Sequence, residues 1–221
     1  MSTPRRDFLG WLGASALLGA TPATLLASAP AGAPRAIADD FDMSWTDRVT
    51  GKHKAVFDSP EVSEGAALYR AVFWRDQYKS VYGTDPAIMN PIVVFRHAAI
   101  SLVMSDAYWE RFEIGKETKM RDAKGKKWSK VNPIRAPAEG APASAAKYTL
   151  QGFMASGGIV LACNLAFGEV VGTYAKADKL KRDEARKAAL AQLVPGVILQ
   201  PSGIFAALRA QEAGCGYILG S

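Results

Sequence analysis

Pro91-Ile92-Val93-Val94-Phe95 is a short, unbroken apolar run, β-branched at its centre. It is too short for a buried helix and has no polar residue at alternate positions, so both faces of the strand it forms must be covered. Ile159-Val160-Leu161-Ala162-Cys163 repeats the pattern, and Val197-Ile198-Leu199 repeats it in shorter form. His53-Lys54-Ala55-Val56-Phe57-Asp58 supplies an earlier strand, and Gly216-Tyr217-Ile218-Leu219 a last one. Helical signals fill the gaps. Ser59 and Pro60 form a cap and first turn, Glu61 and Glu64 suit the positive helix end, and Leu68, Val72, Phe73 and Val81 carry the spacing to about Tyr82. Shorter helices are expected over 98–104, over 144–156 before Gly157-Gly158, over 179–193 with an apolar stripe, and over 202–212. Strands that alternate with helices and are apolar throughout imply an α/β fold on a mainly parallel sheet with helices on both faces.

The segment from about 110 to 146 breaks this rhythm. It is rich in Lys, Gly, Pro and Ala and is expected to be a polar loop outside the core, with a small hairpin around Lys124-Gly125-Lys126. Much of the chain's net charge of +6 is concentrated there, in Lys116, Lys119, Arg121, Lys124, Lys126, Lys127 and Lys130. Glu117 and Asp122 are interleaved and no nucleic-acid motif accompanies them, which makes this a solvated loop and excludes nucleic acid as the expected partner.

At the amino end, Arg5-Arg6 stands before Asp7-Phe8-Leu9-Gly10, and the stretch from Phe8 to Ala29 is free of charge. This is the pattern of a twin-arginine export signal; an ordinary secretory signal is the alternative. About 20 apolar residues span a bilayer, but Gly10, Gly13, Gly19, Thr21, Pro22 and Thr24 dilute this run. Ala36-Ile37-Ala38 offers small residues where a signal peptidase inspects the chain. The expectation is therefore a cleaved signal over 1–38, an arm over 39–52 pinned by Trp45, and a periplasmic domain over 53–221 with no stable membrane insertion.

In parallel sheets, ligands bind beyond the carboxyl ends of the strands. His97 follows one such end, Cys163 and Asn164 close another, and Pro201-Ser202-Gly203 opens a helix where free N–H groups favour an anion. Cys163 is the strong nucleophile of the set if a helix end or a protonated His97 lowers its pKa; otherwise it is a small buried hydrophobe. Cys163 and Cys215 pair only if geometry allows. The two histidines and two cysteines have no metal spacing. Phosphate-loop, dinucleotide and nucleophile-elbow motifs are missing too, so no cofactor is expected. Tyr69, Phe73, Trp74 and Tyr78 share one helix; they belong to the core, or Trp74 and Tyr78 face out as a subunit contact.

The runs Val93-Val94-Phe95-Arg96-His97-Ala98-Ala99-Ile100, Gly158-Ile159-Val160-Leu161-Ala162-Cys163-Asn164, Val194-Pro195-Gly196-Val197 and Pro201-Ser202-Gly203-Ile204 resemble the DsrE/DsrF-like family, as does the closing Arg209–Ile218 segment. The resemblance covers about His53 to Leu219 apart from the polar loop. It implies a three-layer α/β/α sandwich, assembly as a homo-oligomer, and relay of sulfane sulfur as a persulfide, with Cys163 at a recurring cysteine and His97 at a common histidine. The partner is then a sulfur-containing small molecule or a sulfur-carrier protein. The alternative function is a non-catalytic binding or assembly module in which Cys163 is structural.

Overall fold

The structure is a computed structural model, and it describes residues 41–221 apart from 123. The expected signal over 1–38 lies outside the described residues. Five strands, β1 (His53–Ser59), β2 (Met89–Phe95), β3 (Ile159–Cys163), β4 (Ile198–Gln200) and β5 (Gly216–Leu219), form one sheet in the order β4-β3-β2-β1-β5. Every pairing is parallel, and β1 and β2 match along their whole length from His53 opposite Met89 to Ser59 opposite Phe95. The chain is a three-layer α/β/α sandwich. Among the described residues no helix is long and apolar enough to cross a membrane.

The apolar strands are explained by two cores. Val93, Phe95, Val160 and Ala162 face one core; Ile92, Val94, Ile159 and Leu161 face the other. The first core is closed by helix α1 (Ala66–Tyr82) through Leu68 and Val72, and by helix α5 (Asn164–Asp178) through Phe167, Val170 and Val171. The second is thinner. It rests on Ala206 and Ala210 of helix α7 (Gly203–Glu212) and on Trp45 and Val49 of the arm. Trp45 is fully buried, so the arm is part of the domain.

Several expected boundaries are corrected. Ser59 does not cap a helix; it is the last paired residue of β1. Helix α1 starts only at Ala66, after Ser63, Glu64 and Gly65 take left-handed backbone conformations. Gly65 is required there, because a Cβ would lie 2.4 Å from Ile134 Cγ2. The helix expected over 144–156 is broken at Thr149, whose hydroxyl caps α4 (Leu150–Ala155) by accepting the Gly152 N–H. The helix expected from Lys179 is shorter, α6 (Arg182–Leu190), and α5 before it was not foreseen.

The segment over 110–146 is only partly a peripheral loop. It follows α2 (Asp106–Arg111) with α3 (Ile114–Glu117), and its residues Ile114, Met120 and Ile134 are buried in the first core. Buried Asn132 donates to the carbonyls of Leu102 and Met104. The hairpin is present, with Arg121 bridging antiparallel to Trp128. On α1 the outward aromatics are Tyr69 and Phe73, while Trp74 and Tyr78 are half-buried.

Because Trp45 fills the thin second core, Trp45→Ala is expected to cost about 3–5 kcal/mol. Equilibrium unfolding in urea measures this; a loss below about 1 kcal/mol contradicts the arm's place in the core.

Candidate functional site

The residues expected at the strand ends are held by local contacts. Cys163 closes β3 and caps α5, its Sγ accepting the Ala166 N–H at 3.4 Å. It is 6% exposed and belongs to the first core, whereas Cys215 belongs to the second. Both thiols are free, and burial pushes that of Cys215 up to about 11. Asn164 accepts from Arg186 Nη2 at 3.0 Å. Ser202 caps α7 by accepting the Phe205 N–H at 3.1 Å, and Gly203 lies so close to Arg96 that a Cβ would sit 2.5 Å from the arginine Cβ. His97 is exposed with φ at 50°, and no hydrogen bond joins it to Cys163 among the described residues.

Asp58 was not singled out from sequence, yet it organises this edge. Its carboxylate is almost fully buried and accepts from Arg96 Nε at 2.8 Å, Arg96 Nη2 at 2.9 Å and the Tyr217 hydroxyl at 2.7 Å. The bond to Asp58 raises the Arg96 pKa and is the main cause raising that of Tyr217. Beyond it, the Arg96 N–H donates to the Ser59 carbonyl at 3.0 Å and the Ala99 N–H to that of Pro60 at 3.3 Å, tying the exits of β1 and β2 together. An acidic residue closing the apolar run Ala55-Val56-Phe57 was the available signal.

Above those exits, on the α5 side of the sheet, lies a cavity of about 620 Å³. One wall is Glu61, Val62 and Ser63 after β1; the next is Ala98, Ile100 and Ser101 of a 3-10 helix over His97–Val103 after β2. Helices α2 and α3 and the turn between them add Tyr108, Phe112, Ile114 and Glu117, followed by Thr118. Helix α5 contributes Glu169, Val170 and Thr173, a spacing that places all three along one face. Trp109 Nε1 donates to the Ser101 carbonyl at 2.7 Å and so locks α2 to the 3-10 helix. The wall residues are flanked by left-handed backbone at Ser63, Glu64, His97, Glu113 and Lys119; among the described residues only Lys179 is another such non-glycine position. Strain of this kind costs about 1–3 kcal/mol per residue and gathers where a ligand site needs a fixed shape. A second cavity of about 650 Å³ is walled by the irregular segment from Arg121 to Glu139 together with Asp106 and lacks that strand-end scaffold.

Tyr108 lies deep in the wall, 4% exposed. Burial, then the Glu117 carboxylate, pushes its phenol up to about 12 from 10.0, so the hydroxyl remains a donor at neutral pH. A folded-state pKa above the unfolded one gives stability that is present below pH 10 and lost as pH rises toward 12. Tyr108→Phe is therefore expected to remove about 2 kcal/mol of alkaline destabilisation, measured by unfolding at pH 9 and pH 11.5. Asp58→Ala, which removes the partner of Arg96 and Tyr217, is expected to cost about 2–3 kcal/mol, and Tyr217→Phe about 1 kcal/mol, by the same assay. Equal losses contradict the order given to these contacts. Compared with known proteins, the chain matches no family model, no curated protein and no solved structure.

Proposed function

We propose that this protein binds a small molecule in the strand-end cavity and that Cys163 serves as the cap of α5. The observation that carries this is the cavity itself. Its 620 Å³ falls within the range of about 300–1,000 Å³ typical of ligand sites, it sits at the carboxyl edge of a parallel sheet, and rigid elements form its walls. Binding is favoured over thiol or imidazole catalysis because, among the described residues, no histidine or cysteine lines it. Its hydroxyls at Ser101, Thr118 and Thr173 donate to the carbonyls of Ala98, Ile114 and Glu169, so these three are engaged by backbone and not by a base.

A second reading, sulfur carriage on Cys163, is favoured by one observation. The Sγ lies at the amino end of α5 and takes an N–H bond there. In that reading the thiolate attacks a terminal sulfur of a polysulfide, forms a persulfide and releases a polysulfide one sulfur shorter. The start of α5 must open first, since the sulfur is buried. The resemblance to DsrE/DsrF-like proteins and the export signal at Arg5-Arg6 belong to this reading and would place the carrier in the periplasm.

Thr173 is half-buried on the cavity wall, and a larger side chain there fills the space without entering the core. In a thermal-shift screen of a fragment library, the wild type is expected to show stabilising hits that vanish in Thr173→Trp, with the circular dichroism unchanged. Hits that survive this substitution contradict the cavity. Mass gain of sulfur after polysulfide treatment, lost in Cys163→Ala, would favour the second reading instead.

A further inference from the structure

We infer that the ligand of this cavity is a small organic ammonium with an apolar body. The inference rests on the cavity being a binding site and adds the chemistry of what enters it. Among the described residues the lining carries three carboxylates, Glu61, Glu117 and Glu169, and no lysine, arginine or histidine. This imbalance runs against a chain whose formal charge is +6. None of the three is ion-paired among the described residues. Lys116 leans to Glu113 at 4.0 Å, and Arg111 pairs with Asp178.

The remaining lining selects the body of the ligand. Val62, Ile100, Ile114 and Val170 offer hydrocarbon, and the rings of Tyr108 and Phe112, packed on each other, add to the apolar wall. Anions meet repulsion from every charge in the lining. A bare metal ion is the wrong size: among the described residues no group of three acidic, histidine or cysteine side chains is close enough to hold one. Carboxylates spread around an apolar floor suit a cation that is itself extended, with its ammonium toward the rim and its carbon skeleton inside.

The test uses three molecules of one shape: 2-phenylethylammonium, 2-phenylethanol and 3-phenylpropionate. Titration calorimetry on the wild type is expected to show the ammonium binding about tenfold more tightly than the alcohol, with the carboxylate weakest. The double variant Glu117→Gln/Glu169→Gln, altered only at exposed positions, is expected to lose that tenfold preference while still binding the alcohol, and Thr173→Trp to lose all three. If the alcohol or the carboxylate binds as tightly as the ammonium, the cation inference is overturned and the cavity stands. If none of the three binds, while unrelated fragments give thermal shifts that vanish in Thr173→Trp, the ammonium is again overturned alone. If no fragment of any charge binds, the cavity reading fails and the inference fails with it.

Discussion

One buried carboxylate fixes the edge of the sheet from which the candidate site rises. Asp58 sits on β1, between β2 and β5. Its side chain receives a two-pronged bond from Arg96 at the end of β2 and a third bond from Tyr217 of β5, and its carbonyl receives the Gly220 N–H at 2.7 Å. An ionised group this far from water persists only when its lone pairs are filled. The arrangement therefore holds three strand ends at one height. The walls Glu61–Ser63 and Ala98–Ser101 depart from that fixed line and have little freedom where they begin.

The two faces of the sheet have different tasks. The α7 side packs small residues tightly around Trp45 and carries the Asp58 network through Arg96 against Gly203. The α5 side is thicker and receives the segment after α2, which inserts Ile114, Met120 and Ile134. That insertion gives the cavity its outer wall. Because the sheet separates the two cores, Cys163 and Cys215 lie in different layers and remain thiols. All the strained non-glycine positions but Lys179 border the cavity among the described residues, as expected where neighbouring packing holds a site in shape.

The strands were legible in sequence because burial on both faces leaves runs such as Pro91–Phe95 with no polar interruption. Helix α5 was not legible: Gly168 and Gly172 dilute its pattern, and its outer positions include the apolar Leu165, which is 72% exposed. The start of α1 was misplaced because Ser59-Pro60 carries a helix-start signal, while the deciding contact is between Gly65 and Ile134, far apart in the chain. Isolated apolar residues in the polar segment looked incidental for the same reason. At the site, Cys163 and His97 are legible in the sequence as nucleophile and imidazole, whereas the cavity is not. Its lining comes from short pieces between Glu61 and Thr173, each ordinary alone. Asp58 could have been found as a charge at the end of a buried strand.

Ligand entry between the exits of β1 and β2 and the outer face of α5 is open to test by crystallographic screening of soaked fragments. Electron density for bound fragments is expected against Phe112, Val170 and Thr173, with any ammonium turned toward Glu117 or Glu169. Density gathered at the start of α5 beside Cys163, or in the cavity of the Arg121–Glu139 segment with this one left empty, would contradict it.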